Sequence, residues 1–270
     1  MQTDSLQHWV DQQMIRGKYI FTKGDVLAQG LSQTENSLKT SLSRLVKKGI
    51  IISPWQNFYV TVPTEYRLRG EVPPSFYIDH LMKYLGRDYY VSLLSAAALN
   101  GSGHQRTMAF QVTVNGAPIR SGIKNGIRLD FTLRNPLPMA YLKQVKTQMG
   151  FMNVSSPDLT ALDLVLNEEK VGGLSRVAEV LIELAENMNF DESNTELIDF
   201  FNAPVIQRLG YLLDFIEEHK LADRLLMLAQ KREKLFRKIR LKQSKPHTED
   251  MTINGRWKVI INQEIETDEI

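Results

Sequence analysis

Cysteine is absent from the 270-residue chain, which excludes disulfides, thiolate nucleophiles and Cys-ligated zinc together. Histidine is scarce: the five side chains at 8, 80, 104, 219 and 247 show neither an H-x(3)-H nor an HExxH spacing, so no metal and no cofactor is expected. No apolar run reaches the ~18 residues that cross a bilayer, and the start Met1-Gln2-Thr3-Asp4-Ser5 lacks the charged-then-apolar order of a signal peptide. The sequence therefore reads as soluble and cytoplasmic, with no membrane partner. Long heptad segments are also missing, which disfavours a coiled-coil dimer and leaves a monomer or weak dimer.

What is present is a globular composition, 43% hydrophobic and 24% charged, with enough apolar surface to offset chain entropy and enough length for more than one domain. The net charge of +2 hides its distribution. Residues 1–70 carry 9 basic against 5 acidic side chains and residues 230–246 carry 8 against 1, leaving 16 against 25 elsewhere. Two basic regions on an acidic body suggest a polyanion partner, because clustered cations release counterions from nucleic acid.

Along the first basic region, residues 4–16 predict a helix with Leu6, Trp9, Val10 and Met14 at core spacing and Gly17 at its end. Thr22 is a cap for a second helix through about Gln29, and a turn at residues 30–33 leads into a third that stops near Lys48-Gly49. Two β-type runs, 50–53 and 58–62, joined through Pro54-Trp55-Gln56-Asn57, complete a winged helix-turn-helix over residues 1–66. On the third helix Leu38, Leu42 and Leu45 share one face, which sets Gln33, Asn36, Thr40, Ser43 and Lys47 opposite, with Thr34, Ser37 and Arg44 alongside. These are side chains that reach base edges and phosphates in a major groove, and with Trp55, Gln56 and Asn57 of the wing they form the candidate interface with double-stranded DNA.

Residues 67–74, with Arg67, Arg69, Gly70, Pro73 and Pro74, read as a linker to a second domain over 75–270. That domain is mixed over about 75–170: helices at 75–85 and 89–99, a loop at Gly101-Ser102-Gly103-His104-Gln105, and alternating strands at 108–114 and 127–133. Ser156-Pro157 opens a further helix; residues 171–245 are mainly helical, including 220–241, and a strand-like run at 257–261 precedes an acidic tail. The fold class is α+β: an N-terminal winged helix-turn-helix, then a larger mixed domain with a small sheet and a helical C-terminal portion. Projected as a helix, the second basic run places Lys231, Lys234, Arg237, Lys238, Arg240 and Lys242 as a second polyanion surface, unless acids such as Glu217, Glu218 and the tail carboxylates neutralise it.

Two chemical constellations fail on context. Asp158 with Glu168 and Lys170 spells a metal-dependent nuclease signature, but the residues between them predict a helix rather than adjoining strands. The Gly101–His104 loop lacks the Lys-Ser/Thr of a P-loop and the G-x-S-x-G of a hydrolase. Several segments in order, namely the winged helix, 90–101, 156–165, Gly172-Gly173-Leu174, 208–214 and 256–262, together resemble the AbiEi family of bacterial antitoxins and transcriptional regulators of type IV toxin-antitoxin systems. That resemblance implies a non-enzymatic repressor of its own operon that counteracts a nucleotidyltransferase toxin. A metal-dependent nuclease targeted by a winged helix, or a ligand-sensing transcription factor, are the alternatives.

Overall fold

The computed structural model describes residues 2–31, 34–67, 71–102, 108–124, 126–248 and 250–267. The N-terminal region runs α1 (Gln2–Ile15), β1 (Ile20–Thr22), α2 (Lys23–Ala28), α3 (Glu35–Lys47), β2 (Ile51–Trp55) and β3 (Phe58–Thr61). Local chemistry sets each boundary. The Thr22 hydroxyl accepts from the Asp25 N–H at 3.2 Å while the Thr22 N–H donates to the Asp25 carboxylate at 2.7 Å, a reciprocal cap that starts α2. Gly49, at φ 67°, ends α3 in the left-handed conformation. The three strands pair antiparallel in the order β1-β3-β2, and Leu6, Val10, Phe21, Val26, Leu38, Leu42, Leu45 and Ile51 form a core beneath them.

The body follows with α4 (Thr64–Arg67), α5 (Ile78–Leu85), β4 (Tyr89–Val91), α6 (Leu93–Leu99), β5 (Ala109–Val114), β6 (Gly122–Lys124), β7 (Ile127–Leu133), β8 (Leu142–Thr147) and β9 (Gly150–Ser155). Its strands make one six-stranded mixed sheet in the order β6-β7-β5-β4-β9-β8, with β5 parallel to β7 and β4 parallel to β9. Four helices, α7 (Pro157–Leu166), α8 (Leu174–Leu184), α9 (Ala203–Phe215) and α10 (His219–Lys231), build a second core. Three two-residue strands, β10 (Ile239–Arg240), β11 (Ile253–Asn254) and β12 (Val259–Ile260), close the chain in the order β10-β12-β11.

Three sequence expectations are corrected, and the β8–β9 hairpin has no counterpart in the sequence reading. The helix expected over 89–99 begins as strand β4, buried along its whole length; such an apolar run has no alternation to tell it from a buried helix. The β8–β9 hairpin has no clean apolar alternation either, because β8 is a half-exposed edge strand. The helix expected over 220–241 stops at Lys231, since Glu233 turns left-handed at φ 51° and lets the Lys234 N–H bond back to the Ala229 carbonyl. No glycine marks that stop. The strand expected over 257–261 is confined to Val259–Ile260, with Trp257 turned wholly inward.

The N-terminal region and the body share apolar packing. Ile52, Phe58, Val60 and Val62 lie in one cluster with Phe76, Ile78, Leu81, Val91, Val112 and Val154 of the body. The stretch expected as a linker ends in Val72 and Pro74, both buried. Tyr66, just before it, packs edge-on against Phe76 at 6.1 Å and donates to Gln148 at 2.9 Å.

A buried ion pair braces the sheet against the helices. Arg134, just past β7, donates to the Asp163 carboxylate of α7 at 2.6 Å and to the Phe200 carbonyl at 3.0 Å, and its guanidinium lies 4.4 Å from the Phe201 ring centroid. The Tyr90 hydroxyl of β4 donates to the second Asp163 oxygen at 2.8 Å. Burial pushes the Asp163 carboxyl up to about 6 against the lowering pull of Arg134 and Tyr90. The folded chain thus takes up this proton near 6, whereas an unfolded aspartate takes it up near ~3.9. Acidification from pH 7 to 5 is therefore expected to raise the stability of the wild type relative to Asp163→Asn; urea midpoints that move the opposite way would refute the assignment.

Candidate nucleic-acid interface

Helix α3 stands on the first core through Leu38, Leu42 and Leu45 and leaves Asn36, Thr40, Ser43, Arg44 and Lys47 exposed. Thr34 is its N-cap, accepting from the Ser37 N–H at 3.2 Å, and the half-buried Ser37 sits at the edge of the face. The Thr40 hydroxyl donates to the Asn36 main-chain carbonyl at 3.0 Å, and both side chains are exposed. Glu35, in the first turn, pairs with Lys23 of α2 at 3.2 Å. Arg44 and Lys47 lie in the last turn, where cations meet the negative end of the helix dipole. Gln33 lies outside the described residues.

The β2–β3 hairpin, expected as a wing, is placed differently from the sequence expectation. Trp55 is part of β2 and meets Phe131 of β7 edge-on at 6.2 Å, so its ring is taken up by the body's sheet and is not free to enter a groove. The turn narrows to Gln56 and Asn57. The Gln56 carbonyl accepts from the Tyr84 hydroxyl of α5 at 3.3 Å, while Asn57 adopts φ 61° and accepts from the Lys23 N–H at 2.9 Å. Both side chains remain exposed.

The second basic run is an irregular segment rather than a helix face, and several of its cations are matched by acids. Lys231 pairs with Glu192 at 3.6 Å and Lys234 with Asp199 at 3.5 Å, while Lys242 pairs with Glu168 and, at 3.6 Å, with Glu169. Arg232 also pairs with Asp199 and holds that carboxyl below its ordinary range. Among the described residues these partners differ from the expected Glu217, Glu218, Glu264 and Glu266, and Asp268 and Glu269 lie outside the described residues. Arg240 donates to the Lys245 carbonyl at 3.0 Å and accepts at its own carbonyl from Arg208, whereas Arg237 and Lys238 are exposed. The projection of six cations onto one outward face is thereby corrected.

The nuclease constellation does not assemble. The Asp158 carboxylate accepts from the N–H groups of Asn189 and Phe190, at 2.9 and 3.1 Å, and from the Asn194 amide at 3.1 Å. Glu168 turns instead to Lys242. Of the Gly101–His104 loop, Ser102 is buried and donates to the Val180 carbonyl at 3.3 Å, and residues 103–107 lie outside the described residues.

The remaining motifs make a structural lock. Trp257 is fully buried against Gly210 of α9, where an added Cβ would stand 2.3 Å from the indole ring. Its Nε1–H donates to Asp214 at 2.7 Å, Arg256 donates to the other Asp214 oxygen at 2.9 Å, and the Gln207 amide donates to the carbonyls of Trp257 and Arg237. The segments 208–214 and 256–262, which look unrelated along the chain, are two halves of one contact.

A helical N-terminal unit with a three-stranded sheet, seated on a mixed α/β body without a helix long and apolar enough to cross a membrane among the described residues, defines the class. Residues 90–215, from β4 to the end of α9, match the family model of the AbiEi antitoxin C-terminal domain. The crystal structure of the RV2827C protein from Mycobacterium tuberculosis shares the fold, with a TM-score of 0.66 and 14% identity over 96% of this chain and 90% of that one. No curated protein matches the sequence.

Proposed function

We propose that the protein is a sequence-specific, double-stranded-DNA-binding antitoxin of the bacterial cytoplasm. It represses its own toxin-antitoxin operon, counteracts a nucleotidyltransferase toxin through its body, and catalyses no reaction. The observation that carries the DNA-binding part is the exposed polar face of α3 in an α-β-α-α-β-β unit whose sheet order is β1-β3-β2, the arrangement of a winged helix-turn-helix. Asn36, Thr40 and Ser43 supply hydrogen-bonding groups for base edges, and Arg44 and Lys47 supply charge for phosphates. The separation of Asp158 from Glu168 speaks against the nuclease alternative.

Asn36→Ala or Thr40→Ala is expected to weaken operator binding by ~1 to 3 kcal/mol if the side chain reads a base, and Lys47→Ala to weaken all sequences and lower the salt slope by about one. Mobility shifts at several salt concentrations measure both. The same full-length variants, expressed from an unrelated promoter, should still rescue cells carrying the cognate toxin. Operator binding unchanged in both Asn36→Ala and Lys47→Ala would sink the DNA-reading assignment, and loss of rescue without loss of folding would sink the division of labour.

A further inference from the structure

The body as a whole carries more acid than base, yet three of its cations come together at one cavity of about 410 Å³. They arrive from separate elements: Arg128 from β7, Lys170 from the turn after α7 and Arg176 from α8. One acid, Asp130, shares the lining. Their partners leave most of their donors unused. Arg128 gives one N–H to Asp130 at 2.8 Å and Arg176 one to Glu179 at 2.9 Å, out of five on each guanidinium. Lys170 is exposed, and among the described residues its ammonium meets the neutral Thr132 hydroxyl at 3.0 Å.

Apolar side chains share the lining: Leu94 of α6 and the buried Val180, one turn along α8 from Arg176. Gln111 of β5, itself buried, also lines the cavity: its side-chain carbonyl accepts from the Leu94 N–H at 2.9 Å, which orients the amide and leaves its two N–H donors on the other side. A cavity in the size range of small-molecule sites that joins three cations, apolar side chains and one oriented amide in one lining fits a ligand that combines a phosphate with a flat, polar-edged ring. The geometry points to a mononucleotide site: Arg128, Lys170 and Arg176 take the phosphate, Leu94 and Val180 flank the base, and Gln111 donates to its edge or to the sugar. This site is separate from the face of α3 and does not depend on how that face is read.

Titration calorimetry of the full chain with AMP, GMP, CMP and UMP tests the site, with inorganic phosphate and adenosine as part-ligands. At least one mononucleotide is expected to bind saturably and more tightly than either part-ligand. Lys170→Ala and Arg176→Ala should each weaken it by about tenfold or more, because each removes a charge-assisted contact. Arg237→Ala, outside the cavity, should bind as the wild type does, and Lys170→Ala should melt as the wild type does because Lys170 is exposed. The inference is overturned if no mononucleotide binds, if phosphate or adenosine alone binds as tightly as the best nucleotide, or if Lys170→Ala retains wild-type affinity.

Discussion

Trp257→Ala is expected to cost about 3 to 5 kcal/mol of unfolding free energy, the range for emptying a fully buried large aromatic site. The ring fills the space left open by Gly210, and its Nε1–H satisfies Asp214, so the substitution creates a void and removes a buried hydrogen bond at once. It also loosens the Gln207 amide, which holds the Trp257 carbonyl and the segment after α10 in one grip. Trp257→Phe should keep most of the volume but leave Asp214 short of a donor, and so lie between the two. Denaturant unfolding followed by circular dichroism measures the series; a Trp257→Ala loss below about 1 kcal/mol, typical of a surface change, would show that the indole is not the keystone of the C-terminal region.

Arg134→Met is the second large effect, at about 3 to 5 kcal/mol, because it strips the partner from a buried carboxylate. Asp163 would retain the Tyr90 hydroxyl but lose its counter-charge in a site that already resists ionisation. Phe200 and Phe201 would also lose the guanidinium that lies against their rings and binds the Phe200 carbonyl. Adding Asp163→Asn to Arg134→Met should recover part of the loss, since the uncompensated charge goes with it. A double variant no more stable than Arg134→Met would place the cost in packing rather than in the stranded charge.

The N-terminal helices are legible in the sequence where a boundary is written in local chemistry: Thr22 as the cap of α2 and Gly49 at the end of α3; the Thr34 cap of α3 and the Asp25 half of the Thr22 cap emerge only in the fold. Where a boundary lacks such a residue, the pattern misleads. Glu233 stops α10 without a glycine, and two-residue strands such as β10 and β12 exist by virtue of their pairing partners rather than any periodicity of their own. The candidate DNA face is likewise readable, since helical spacing alone separates Leu38, Leu42 and Leu45 from Asn36, Thr40 and Lys47. The place of Trp55 is not, because what covers it is Phe131 on a distant strand. The cations of the cavity belong to the same class: Arg128, Lys170 and Arg176 become neighbours only once the sheet and helices have packed.

Because Ile52, Phe58, Val60 and Val62 are shared property of the N-terminal unit and the body, that unit is not an exchangeable part. Grafting a foreign N-terminal unit in its place would match its own core and still leave the body's apolar patch around Phe76, Ile78 and Val112 against the wrong shape. Sequence change is thereby steered to the exposed rim of α3, where Asn36, Thr40 and Ser43 stand outside the shared cluster, while the underside of the β2–β3 hairpin is tied to whatever sequence the body's sheet presents.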